Sequence, residues 1–153
     1  MQTSPPLSPA IAIVIIPLFF VTLWCAALFA VSRVSGWALL AKRFRTDSPF
    51  PGQSWGWQSA GLRWGCNYNN CLTLGSDPSG LFLSIMFLFR IGAPSLLIPW
   101  SEVIVWRRRQ FLFFRIVELR LGREQQVPLV MREKLADFLR SAAGANWPIE
   151  PIS

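Results

Sequence analysis

Histidine is absent from all 153 residues of this sequence. That removes the commonest general base, the commonest metal ligand, and any Ser-His or Cys-His nucleophilic system built within the chain. Cysteine is scarce: three residues, one of them inside a long apolar run, are too few for a disulfide framework. No charged side chain occurs before Arg33, so all 15 basic and all 8 acidic residues lie from that residue onward and carry the whole net charge of +7. A lysine-bearing, glycine-rich phosphate loop is missing too, since residues 75–80 read GSDPSG, a hairpin turn. Asp47, Asp77 and Glu102 are too dispersed for an acid–base dyad or a hard-cation site. An enzyme would have only Tyr68, Lys42, Lys134, the cysteines and scattered carboxylates to work with. The expectation is a protein without catalytic residues, cofactor or metal.

In place of these groups stands an uncharged run over residues 10–32, AIAIVIIPLFFVTLWCAALFAVS. As a helix it extends about 34 Å, enough for a hydrocarbon core of ~30 Å with modest tilt. Pro17 is a possible kink that neighbouring protein or local readjustment accommodates, and Cys25 serves mid-span as a small apolar residue. A cleaved signal peptide needs a positive n-region, and residues 1–9 (MQTSPPLSP) have no basic side chain, although ALFA at 27–30 passes as a small-residue cleavage site. The reading is therefore one retained transmembrane helix. Arg33, Lys42, Arg43 and Arg45 follow the run, and positive charge near a span end favours the cytoplasmic side. This places residues 1–9 outside as a short extracytoplasmic tail, and the rest on the cytoplasmic face of the cell inner (plasma) membrane.

Residues 33–54 form a basic juxtamembrane helix and linker. Within GWALLAKRFR (36–45), Trp37, Leu40, Ala41 and Phe44 share one helical face, with Lys42, Arg43 and Arg45 largely around the other. This suits a helix lying at headgroup level, with Trp37 as interfacial anchor and the three cations holding anionic lipid at roughly 1 kcal/mol each. A plain stop-transfer flank is the alternative. Residues 46–54, TDSPFPGQS, read as linker.

Over residues 55–143 strand signals dominate. Strands are expected at 55–63, with a glycine-associated bulge, and at 71–75. A type I turn at Asp77-Pro78-Ser79-Gly80 leads to a strand buried on both faces at 81–89. That apolar stretch reaches Arg90 after nine residues and is too short for a second span. Further strands follow at 96–98, 102–106, 111–121 and 127–130. The period then changes: Met131, Leu135, Phe138, Leu139 and Ala142 recur at helical spacing, and Gly144 offers a stop before an irregular tail, 144–153. One N-terminal transmembrane helix followed by six to seven antiparallel strands and a C-terminal amphipathic helix is the fold class. The mainly-β part is a small barrel or sandwich of the pleckstrin-homology (PH) type.

The stretches SGWALLAKRFR and YNNCLTLGSDPSGLFLSIMFLFRIGAPSLLIPWSEV resemble a family of uncharacterised bacterial proteins. The family pattern is roughly SGW-x-x-LA-x-x-[YF]-R, then F-R-x-G-x-P-x-L-x-IPW-x-[ED]-[IV]. The similarity covers about residues 35–105 and is most specific at FRIGAPSLLIPWSEV. It implies a small single-pass membrane protein with a PH-like cytoplasmic domain, and it brings no established activity.

Two constellations stand out. Cys66 and Cys71 bracket Asn67, Asn69 and Asn70, and read as small buried residues around an Asn-rich turn, with a reversible disulfide as the sharper alternative. Arg107, Arg108 and Arg109 would form a hairpin tip between Trp106 and Phe111, able to meet anionic lipid or an acidic partner, or simply to solvate a turn. Nucleic acid is not expected, because no extended basic face is apparent. The function anticipated is a non-catalytic, membrane-tethered interaction module that binds a protein partner, anionic lipid or both. An accessory or assembly subunit of a larger membrane complex is the alternative, and an enzyme a distant third.

Overall fold

The structure, a computed structural model, describes residues 8–63 and 66–149. Helix α1, Pro9–Val34, opens with proline in its first turn, where the missing N–H costs nothing, and tolerates Pro17 inside. It is long and apolar enough to cross a membrane: 26 residues, a mean hydropathy of 2.7 in its most apolar stretch, and no buried residue in that stretch. Toward its C-terminal end Trp24 packs on Phe89, and Ser32 is buried. Gly36, at φ +88, turns the chain into helix α2, Trp37–Phe44.

Among the described residues the strands are β1 (Gln53–Gly61), β2 (Asn67–Asp77), β3 (Gly80–Ile85), β4 (Leu96–Pro99), β5 (Val103–Phe111), β6 (Phe114–Leu121) and β7 (Val127–Arg132). They form one antiparallel, nearly closed sheet in the order β4-β3-β2-β1-β7-β6-β5. Its two halves meet where Gly61 of β1 pairs with Val130 of β7. Irregular register around Trp57 and Gln58 bends β1 toward that seam, in keeping with the bulge expected from its glycines. The inward residues Leu72, Leu74, Leu81, Leu83, Ile98, Val117, Leu119, Leu121 and Leu129 have essentially no solvent exposure. Helix α3, Glu133–Ala143, lays Leu135, Ala136 and Leu139 on this core. Ser76 Oγ of β2 donates to Leu139 O at 2.7 Å, fastening α3 to the sheet.

Four features differ from expectation. Helix α2 does not lie on the outside. Trp37 and Leu40 are fully buried, Phe44 nearly so, and the Trp37 indole N–H donates to Pro94 O at 2.8 Å. The apolar face read from the sequence is real, but it covers the domain core and not lipid, so Trp37 is not an interfacial anchor. The folded unit therefore begins at the end of α1, and the 46–54 segment joins it by stacking Phe50 on Phe82 at 4.7 Å. The Asn-rich stretch after Cys66 is the start of β2, with the irregularity confined to Asn70 at φ +53. The β5–β6 turn falls at Leu112-Phe113, and not at the arginines. Inward Val103 and Val105 pair with Leu121 and Leu119 across a bulge at Trp106, and this register carries Arg107–Arg109 into the strand. The expected 81–89 strand also ends early, at Ile85, before a 3₁₀ turn over Phe87–Phe89. Of the terminal calls, residues 1–7 of the outer tail and 150–153 of the C-terminal tail lie outside the described residues, and Gly144–Asn146 forms a 3₁₀ turn.

Candidate functional site

A cleft of about 800 Å³ opens over Thr73 of β2, Phe82 and Ser84 of β3 and the loop that leads into β4, where Gly92 lies against Phe29 and Ser32 of α1. It owes its position to α2: Arg45, just past that helix, forms an isolated antiparallel bridge with Leu96 of β4, and Thr46 N donates to Ser95 O at 2.9 Å. Arg45 is thereby set at one rim. The other rim is the loop between β3 and β4, where Arg90 folds back to donate from Nε to Ile85 O (3.2 Å) and from Nη2 to Ser84 Oγ (3.1 Å). Ser84 and Ser95 hydroxyls lie 3.1 Å apart between them, and Thr46, Ser48 and Thr73 add further hydroxyls. Two guanidiniums over a hydroxyl-rich floor form a site chemically suited to a phosphate or carboxylate group. Asp47 stands 3.5 Å from Arg45, but both side chains are well exposed, so this pairing is weak and can yield to a competing anion.

Of the cations singled out in the sequence, Arg45 alone reaches this cleft. Lys42 is exposed on α2, and Arg43 pairs with Glu102 at 3.3 Å. Glu102 also accepts the Arg123 backbone N–H at 2.9 Å, so the carboxylate noted in the sequence ties α2 to the start of β5 and the β6–β7 turn. Arg108 is bound to α3, at 3.0 Å from Glu133 and 3.8 Å from Asp137. Arg109 is exposed on β5; the Arg107 side chain lies outside the described residues. The three arginines thus do not form a common tip. The hairpin end instead shows Leu112 and Phe113, the latter 94% exposed.

Arg90, Ser84 and Ser95 were not anticipated as site residues. In the sequence Arg90 serves only to end an apolar run, and nothing there shows that its guanidinium turns back onto Ser84 and Ile85 of β3. The one available signal was its place in FRIGAPSLLIPWSEV, the most specific part of the resemblance.

Behind the cleft, the elbow between α1 and α2 is joined to the sheet by a hydroxyl pair, Ser35 Oγ to Tyr68 Oη at 3.1 Å. Burial raises the Tyr68 pKa above its ordinary 10.0, with the Ser35 bond partly opposing the rise. Burial likewise raises that of Cys71, so at neutral pH its thiol stays protonated and poorly nucleophilic. Cys25, Cys66 and Cys71 are all free thiols. Among the described residues no group of three or more Cys, Asp or Glu is placed to hold a metal ion. Comparison with protein-family models finds no match, and none of the curated proteins compared with the chain matches it.

Proposed function

We propose that the protein is a non-catalytic, single-pass module of a bacterial inner membrane that holds an anionic lipid headgroup in the Arg45–Arg90 cleft. Helix α1 is its retained anchor, with the N-terminus outside and the β domain against the cytoplasmic leaflet. The observation that carries this reading is position: a site with two guanidiniums and several hydroxyls includes Gly92, which lies against Phe29 and Ser32 near the end of α1, a helix able to cross a bilayer. Retention of α1 is favoured by its contacts. Trp24 packs on Phe89 at 5.5 Å, and a Cβ on Gly92 would come 2.7 Å from the Phe29 ring, so cleavage near residue 30 would strip the β3–β4 loop of its support. The orientation rests on Arg33, Lys42, Arg43 and Arg45 following the apolar run. The PH-like reading draws on the strand order with a C-terminal helix packed on the core, and the family resemblance around residues 35–105 belongs to the same proposal.

A complex-assembly role is a second reading, favoured by the exposed Leu112, Phe113 and Phe114 at the β5–β6 end, an apolar tip that a protein partner would cover.

The lipid reading is tested on the full-length protein in mild detergent, titrated with phosphatidylglycerol or phosphatidylcholine and followed by native mass spectrometry. Wild type is expected to retain phosphatidylglycerol preferentially. Arg45→Ala combined with Arg90→Ala loses that preference, while Arg109→Ala keeps it. Equal phosphatidylglycerol retention by the double variant and wild type would sink the proposal.

A further inference from the structure

We infer that the β3–β4 loop, residues 86–91, is a second membrane-inserting element that enters the hydrocarbon layer alongside α1. This rests on α1 spanning the bilayer, as proposed above, and adds a part of the domain that was read as a water-soluble strand.

The loop is apolar where it is exposed: Phe87 is 73% exposed, Leu88 55% and Ile91 38%. In water such a cluster on a small domain is unfavourable and calls for a covering surface. What covers it follows from where it sits. Gly92 lies against Phe29 and Ser32 of α1, and Phe89 packs on Trp24 further up the same helix. Trp24 precedes Ser32 by eight residues, about 12 Å along the helix axis at 1.5 Å per residue. The loop therefore climbs α1 well past the end of the apolar run. Around Trp24 the surroundings of α1 are met by exposed Phe20 and Leu23, and those of the loop packed there by exposed Phe87 and Leu88. If those surroundings are acyl chains for the helix, they are acyl chains for the loop.

Part of its backbone is already engaged within the protein. An irregular segment in hydrocarbon must satisfy its own backbone. Here Met86 N donates to Cys71 O, Phe89 N to Met86 O, Arg90 N to Phe87 O, and Ala93 N to Arg90 O. The one charged residue, Arg90, directs its guanidinium back to Ser84 and Ile85, toward the polar cleft, as a snorkelling side chain does. The loop thus presents Phe87, Leu88 and Ile91 outward and keeps its charge at headgroup depth.

The test uses full-length protein with Cys25→Ala, Cys66→Ala and Cys71→Ala, its fold checked by circular dichroism, reconstituted in phosphatidylcholine–phosphatidylglycerol vesicles. Single cysteines replace Leu88, Phe20 or Ser79 and carry an environment-sensitive NBD label. At position 88 the emission is expected to shift to the blue. Iodide quenching should be lost there, and phospholipids spin-labelled in the upper acyl chain should quench strongly, as at position 20. Position 79, in the β2–β3 turn, stays open to iodide. Iodide access at 88 with protection at 20 overturns the loop inference and leaves the anchor standing. Access at both positions overturns the anchor and the loop together. Protection at 88 from both iodide and labelled lipid means that protein covers the loop, and also overturns it. Should the cysteine-free background fail to fold, photo-crosslinking from benzoylphenylalanine at Phe87 in the native sequence decides the matter: adducts to phospholipid support insertion, and adducts only to protein overturn it.

Discussion

Tyr68 is the single tyrosine of the chain, and its hydroxyl joins the helical elbow to the sheet. Removing that hydroxyl in Tyr68→Phe leaves the ring against Trp37 and the buried Ser35 hydroxyl with its longer bond to Ser32 O, at 3.4 Å, so a loss of about 1 kcal/mol is expected. The pH dependence has a definite sign. The folded protein binds the phenolic proton more tightly than the unfolded chain, so its contribution is complete below pH 10.0 and declines as pH rises above it. Wild type should therefore lose stability above that pH more steeply than Tyr68→Phe, as read by thermal melts in detergent. Phenolate absorbance reports the titration directly because no other tyrosine contributes. An unshifted phenolate midpoint would refute the account. The sequence offered Tyr68 only as a candidate acid–base group, since nothing local to it indicates that residue 35 arrives against its hydroxyl.

The amphipathic pattern of α2 was legible from spacing alone, and its buried face matches the residues read from it. What it faced was not legible, because lipid and a protein core are both apolar solvents for Trp37, Leu40 and Phe44. The elbow decides the matter. Gly36 adopts φ +88, and a Cβ there would approach both Val127 methyl carbons at 3.0–3.1 Å. Gly36→Ala should cost about 1–2 kcal/mol for the left-handed backbone alone, with the Val127 contact adding to it. A lower melting temperature checks this; an unchanged one would mean that α2 is not held inside the domain. The β5–β6 turn shows the opposite failure of local reading. Leu112 takes φ +53 without glycine, proline or asparagine nearby, so the sequence QFLFF carries no turn signal. The turn is imposed by the register of valines and leucines elsewhere in the two strands.

As a whole molecule the protein is an apolar rod joined to a small sheet domain through shared packing, and not through a flexible tether. Ser32 and Ser35 are buried, and α2 follows at once as part of the core. The boundary of the folded unit is therefore expected near residue 31. A fragment of residues 31–153 in mild detergent should keep the near-ultraviolet circular dichroism of packed tryptophans, whereas residues 46–153 should lose it with Trp37, Leu40 and Phe44. Equal spectra from the two fragments would restore 33–54 to the role of a detached collar.

The apolar helix, the run of strands and the amphipathic C-terminal helix could all be read in the chain, because each depends on composition and short-range periodicity. Their partners could not. Trp37 in the core, Arg45 beside Leu96, Arg108 on Glu133 and Phe89 on Trp24 are contacts between residues distant in sequence. Their geometry is set by strand order and by the turn at Gly36. Local spacing decides which face of an element is apolar; only closure of the sheet decides what that face meets.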